Sequence, residues 1–171
     1  MIESKTVRRN RFFLIIYSIF IVLCTILLIR CFTTHPVIVS GDSMMPTYHD
    51  GEILTTREVD ENGPGIGDVI IFTHHGKISN TKLIKRVVAL PGDMVQIKDG
   101  ILYRNGEAVH EDFPLMEDGG YFDTPKVVPE NSCFVLGDNR NNSADSRMLG
   151  FVAYEDIMKI VDSPFFPVLF K

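Results

Sequence analysis

Ser43 stands in the segment Ser40-Gly41-Asp42-Ser43-Met44-Met45-Pro46-Thr47, where a small turn presents a hydroxyl next to two flexible apolar side chains. Lys85 opens a second segment, Lys85-Arg86-Val87-Val88-Ala89-Leu90-Pro91-Gly92-Asp93. A serine hydroxyl is a poor nucleophile until a base takes its proton. Histidine is the usual base, and His35, His49, His74, His75 and His110 are available beyond the N-terminal apolar run. None of them stands in a setting that reads as a triad base, and His74-His75-Gly76 reads as a solvated turn. A lysine does the same work when burial disfavours its ammonium and brings its pKa down from about 10.4 toward neutrality. Lys85 leads a β-branched apolar run, and in a strand it would point to one face and Arg86 to the other. Read alone, a strand lysine is a solvated edge residue, and Lys77 and Lys82, in a polar stretch, fit that description. Ser43 and Lys85 together look like a nucleophile and its base, and what raises Lys85 above a solvated residue is the larger pattern of segments along the chain.

The elements that must position them are short. Val37-Ile38-Val39, Asp68 to Phe72, Lys85 to Leu90, Met94 to Ile97, Ile101 to Tyr103 and Cys133 to Leu136 are β-branched runs split by Gly, Pro, Asn and Asp. Such runs read as strands. Lys98-Asp99-Gly100 and Arg104-Asn105-Gly106-Glu107 carry hairpin-turn chemistry. Val152 to Val161 fits a short helix or another strand. Residues 110–127, polar and glycine-rich, read as an exposed excursion. Met44 and Met45 suit either core filling or the lining of a cleft, and the apolar tail Pro164 to Phe170 suits either the core or a bilayer. The fold expected is mainly β: an N-terminal transmembrane helix, then an antiparallel β ectodomain with long loops.

Phe12 to Ile29 holds 18 residues without a charge. As a helix it is about 27 Å long, near the thickness of a bilayer's hydrocarbon core. Lys5, Arg8, Arg9 and Arg11 precede it, which retains the N-terminus in the cytoplasm, and Arg30 can snorkel at the far end. No small-x-small cleavage site follows, since the next residues are Arg30-Cys31-Phe32. The segment is expected to be an uncleaved single-pass signal anchor in the cell membrane. Residues 1–11 are then cytoplasmic, 12–31 transmembrane and 32–171 an extracytoplasmic catalytic domain. Residues 1–11 carry a net +3 and Arg30 one more, so a whole-chain charge of −5 leaves −9 for residues 32–171. Such a domain lacks the basic face that nucleic acid requires, and its contact with a bilayer should be apolar. Of the three cysteines only Cys133 lies in the ectodomain, so neither an internal disulfide nor a cysteine zinc site is expected there.

Four segments, in order, resemble the type I signal peptidase family. Ser40 to Thr47 is similar to its nucleophile box, Gly67-Asp68-Val69-Ile70-Ile71-Phe72 to its next strand, and Lys85 to Asp93 to its general-base box. Gly137-Asp138-Asn139-Arg140-Asn141-Asn142-Ser143-Ala144-Asp145-Ser146-Arg147-Met148-Leu149-Gly150 is similar to its final box. Each box is short, but the four together span residues 40 to 150.

The resemblance implies a membrane-anchored serine endopeptidase that removes N-terminal signal peptides from exported preproteins as they emerge from the secretion translocase. It implies that Ser43 attacks the scissile carbonyl and that Lys85 takes the hydroxyl proton and later activates water. A backbone N–H near Ser43 would steady the oxyanion. Ser143 matches a serine that orients the lysine amine, and Asp145 and Arg147 match a structural ion pair that Asp138 and Arg140 could extend. Gly41 stands where some members place a second, serine oxyanion donor, as in the Gram-positive branch, whose members also tend to be short with one anchor. No metal and no organic cofactor are implied, and residues 137–150 lack the spacing and closing glutamate of a calcium loop. Two other readings stay open: a self-cleaving Ser–Lys protein of the repressor type, and a silent surface domain that binds preproteins or translocase subunits.

Overall fold

The computed structural model of the protein describes residues 5–76 and 79–164. Residues 1–4, Lys77, Ile78 and most of the apolar tail, 165–171, lie outside the described residues. An N-terminal unit, Met1–His35, and a second unit from Pro36 onward divide the chain. The first is one helix, α1 (Lys5–Thr34). Its stretch Arg9–Ile29 has a mean hydropathy of 3.0 and is long and apolar enough to cross a membrane. Ser18 and Thr25 donate their hydroxyls to the carbonyls of Leu14 and Ile21, at 2.8 and 2.9 Å. These side chains therefore ask for no partner outside the helix.

The second unit is antiparallel β. Its strands are β1 (Val37–Ile38), β2 (Ile53–Arg57), β3 (Val69–His75), β4 (Asn80–Ala89), β5 (Met94–Lys98) and β6 (Ile101–Arg104). They continue as β7 (Glu107–Ala108), β8 (Lys126–Val127), β9 (Ser132–Leu136), β10 (Val152–Ala153) and β11 (Ile157–Pro164), with one short helix, α2 (Ser146–Leu149). Seven strands form one sheet in the order β1-β2-β11-β3-β4-β9-β10, and four form another in the order β7-β6-β5-β8. The mainly antiparallel β class expected from the sequence is the class found. Both hairpin signals are used. Asp99 and Gly100 join β5 to β6 at φ +52° and +76°, and Asn105 and Gly106 join β6 to β7 at +55° and +85°. These are the left-handed pairs that a two-residue hairpin turn requires.

β4 is the strand that everything else surrounds. Its C-terminal half pairs with β3 on one side and β9 on the other. The β9 register shifts between Val87 and Ala89, so the strand feeds two cores. Val87 packs with Ile70, Phe72, Val135 and Ile160, while Val88 and Ala89 pack with Val95, Leu102 and Phe134 beneath the smaller sheet. Burial on both sides explains the unbroken apolar run Val87-Val88-Ala89. A third cluster, Val39, Met44, Leu54, Val69 and Val161, sits under the loop that carries Ser43. Met44 is therefore a core residue, and Met45 lies at the surface.

Three elements depart from the pattern read in the sequence. β2 was hidden, because Thr55 and Thr56 occupy interior positions that a hydropathy reading leaves polar. Val152 to Val161 resolves into β10, a 3-10 turn at Tyr154–Asp156 and the start of β11. Residues 110–127 leave the sheets but return: Met116 and Phe122 are buried, and the Phe122 ring lies 4.5 Å from that of Phe134. Burial of those two side chains fastens the excursion to the body.

Candidate active site

Ser43 lies in the loop between β1 and β2. The loop is closed at its base by Val39 N–H to Glu52 O at 2.9 Å and Gly51 N–H to Val39 O at 3.0 Å. Buried Met44 roots it in the third core. Its tip is held from the other side by the segment after β9. Asn139 donates its backbone N–H to Ser43 O and its side-chain amide to Asp42 O, both at 3.0 Å. Thr47 donates its hydroxyl to Asp138. The residue that presents the hydroxyl is thereby fixed through its own carbonyl.

Lys85 reaches that hydroxyl from β4. Its Nζ lies 2.7 Å from Ser43 Oγ and donates a second bond to its neighbour's carbonyl, Ile84 O, also at 2.7 Å. Lys85 is 2% exposed. Burial disfavours its ammonium and lowers its pKa to about 8, although Asp145 and Asp138 pull the other way. No carboxylate bonds the amine directly among the described residues, and that separation lets desolvation dominate. Arg86, next in the strand, parts from it and forms a two-pronged pair with Asp138, Nε to Oδ1 at 2.8 Å and Nη2 to Oδ2 at 2.6 Å. Alternation along β4 thus delivers one cation to the hydroxyl and the other to a buried carboxylate.

The loop from 137 to 150 underlies both. Asp145 is fully buried and takes the Arg147 guanidinium in two bonds, Nε to Oδ1 at 2.8 Å and Nη2 to Oδ2 at 2.9 Å. The same carboxylate accepts the backbone N–H of Gly137 at 3.0 Å and of Arg147 at 3.3 Å, which starts α2. Asp138 and Arg140 do not pair with each other. Asp138 belongs to Arg86, and Arg140 forms a two-pronged pair with Glu111 while lying 4.7 Å from the Phe113 ring. Arg140 also accepts the second prong of Arg147 on its carbonyl. Gly137 permits the close approach of the two loops, since a Cβ there would lie 2.2 Å from Ser143 Oγ and 2.6 Å from Ser43 O. Ser143 is therefore next to the pair, but its hydroxyl is buried without a hydrogen-bond partner and does not bond Lys85 in this structure.

A cleft of about 240 Å³ opens beside Ser43 and Lys85. Val37 to Ser40, Ile71 and Lys82 to Ile84 line it together with the pair. That part of β4 pairs with β3 but not with β9, whose pairing begins at Arg86, so one strand edge faces the cleft. No histidine lines it; His75 instead contacts Asn80 and Asp156, each at 3.1 Å. Gly41 has its N–H committed to Asp50 at 2.7 Å, which removes it as a donor toward the cleft. Among the described residues no group of three or more His, Cys, Asp or Glu could hold a metal ion. Chemically, the arrangement offers a hydroxyl next to an easily deprotonated amine, at the mouth of an apolar channel with a free strand edge.

Asn139, Thr47, Glu111 and Phe113 were not visible as site residues in the sequence. The signal for Asn139 was its place inside the final box. Thr47 likewise stood inside the nucleophile box, whereas Glu111 and Phe113 reach Arg140 from a distant loop and nothing local marks them.

Residues 12–166 match a family model described as signal peptidase, peptidase S26. A probable signal peptidase I-1 of Synechocystis sp. is 37% identical over 151 positions, covering 82% of this chain and 76% of that protein. A signal peptidase I of Bacillus licheniformis is 38% identical over 183 positions, covering 96% of this chain and 94% of its own. Signal peptidase I T of Bacillus subtilis is 38% identical over 166 positions, with 88% and 83% covered. A model that spans nearly the whole chain, and relatives of this identity along most of their own lengths, leave one conclusion: the chain belongs to the signal peptidase family, peptidase S26.

Proposed function

We propose that this protein is a membrane-anchored serine endopeptidase that cleaves signal peptides from preproteins with Ser43 as nucleophile and Lys85 as general base. The observation that carries the reading is the 2.7 Å approach of an amine that burial has made easy to deprotonate to the hydroxyl of Ser43. Neutral Lys85 accepts the proton of Ser43 Oγ as the oxygen bonds to the scissile carbonyl carbon. The resulting ammonium gives that proton to the departing amine as the C–N bond breaks, leaving an ester on Ser43. Lys85, neutral again, takes a proton from water; the hydroxide oxygen attacks the ester, and the serine oxygen leaves with the proton returned by Lys85. Backbone N–H groups of the Ser43 turn are the donors for the oxyanion.

An extended preprotein segment can add to the free edge of β4 and lie in the cleft, with its main chain satisfied by the strand and its small side chains on the apolar walls. Asp145 with Arg147, and Asp138 with Arg86, hold the floor on which both catalytic side chains rest. The burial-free apolar surface of Arg9–Ile29 supports a single-pass anchor, and the basic residues ahead of it support a cytoplasmic N-terminus with the β unit outside the cell membrane. In that position the site meets preproteins as the translocase releases them.

The test is incubation of the detergent-solubilised chain with a labelled preprotein. Ser43→Ala and Lys85→Ala should each reduce cleavage by at least roughly 10³-fold while the fold, read by circular dichroism, persists. Substantial cleavage by Lys85→Ala would remove the amine from the mechanism. A wild type that binds but never cleaves would leave a silent binding domain.

A further inference from the structure

The cleft carries a second amine. Lys82 lines it together with Leu83, Ile84 and Lys85, on the stretch of β4 that β9 leaves unpaired. Lys82 is exposed, as its polar stretch suggests, and at the same time it borders the cleft. No carboxylate lines the cleft. Among the described residues no salt bridge engages Lys82. Val37, Ile38 and Val39 line the same cleft, and apolar walls concentrate the field of a charge instead of screening it. Residues 32–171 carry a net −9, so an unpaired cation at this place gives the cleft a potential opposite to that of the molecule around it.

The strand fixes where that cation acts. β4 rises about 3.3 Å per residue, which places Lys82 roughly 10 Å along the edge from Lys85. A peptide extended along the same edge advances by the same step. With its scissile carbonyl at Ser43, its third or fourth residue from the scissile bond comes level with Lys82.

We propose that Lys82 is a specificity-determining residue of this cleft, favouring substrates with a carboxylate side chain three or four residues from the scissile bond and disfavouring a basic one there. The inference rests on the proteolytic reading above. A charge pair about 6 Å apart in a partly solvated groove favours the acidic over the basic substrate by about three- to tenfold.

The experiment uses the full chain in detergent and peptides spanning a signal-peptide cleavage region. The peptides are identical except for Asp, Asn or Lys at one position, moved residue by residue along both sides of the scissile bond. Wild type should show a kcat/KM for Asp about three- to tenfold above that for Lys at one position three or four residues away, carried by KM. The contrast should shrink as salt rises from about 50 mM to about 500 mM. Lys82→Gln should bring the Asp-to-Lys ratio toward one, and Lys82→Glu should invert it. Each ratio is internal to one enzyme preparation, so a change in the amount of folded protein leaves it intact. Equal ratios in wild type and Lys82→Gln would overturn the role of Lys82 while leaving the proteolysis standing. Cleavage of no peptide by wild type would overturn both.

Discussion

Burial of Lys85 has a thermodynamic cost as well as a chemical use. Its folded pKa of about 8 lies below the ordinary 10.5, so between those two values the unfolded chain holds the extra proton. Stability from this group therefore rises as pH climbs through that window, and the whole penalty is present below about 8. Lys85→Met keeps the length and removes the charge. It should stabilise the β unit near neutral pH by about 1–3 kcal/mol, and the gain should fade above the upper value. Urea melts at the two pH extremes measure it; a destabilised variant near neutrality would mean that Asp145 and Asp138 already offset the desolvation. In the proposed mechanism the same protonation governs rate. If Lys85 is the base, only its neutral amine accepts the Ser43 proton, and kcat/KM should climb about tenfold per pH unit below about 8 and level off above it. A profile that falls through that range would demand an acid where the proposed mechanism has a base.

The segment from 137 to 150 turns these side chains into a site, and its stability depends on one carboxylate. Asp145 is buried and serves Arg147, the Gly137 N–H and the start of α2 together. Arg147→Met should strand that carboxylate and cost about 3–5 kcal/mol in a denaturant melt, with Asp145→Asn added to it recovering part of the loss. A loss below about 1 kcal/mol would mark the pair as dispensable. The turn at Ser43 was legible because its chemistry is local, a small loop that presents a hydroxyl. The hairpins at Asp99-Gly100 and Asn105-Gly106 were legible for the same reason. Lys85, by itself an ordinary strand lysine, stood out only through the order of the four segments. What the sequence withheld was set by distant partners. Asp138 turned to Arg86 and not to Arg140, because Glu111 and Phe113 arrive from a loop that looked wholly exposed. β2 escaped notice because its buried threonines carry no apolar signature.

At the scale of the molecule, the two units present different surfaces. Phe12, Leu14, Tyr17, Phe20 and Ile29 are each at least 60% exposed along α1, a surface that water cannot accommodate over a stretch of 21 residues. The β unit, in contrast, holds its own three apolar clusters, and its net negative charge gives it no electrostatic claim on anionic lipid. Attachment should therefore reside in α1 alone, and catalysis in the β unit alone. Removal of residues 1–35 should leave a cooperatively folding protein that no longer sediments with phosphatidylglycerol vesicles. Its kcat on a short soluble peptide should stay within several-fold of the full chain. Its rate on a preprotein embedded in the same vesicles should fall by about 10²-fold or more, because the anchor supplies the effective concentration that a free enzyme lacks. A fragment that still pellets with the vesicles would place a second membrane contact on the β unit. A fragment equally fast on both substrates would show that the helix does nothing for encounter, and the anchor would need another reason to be there.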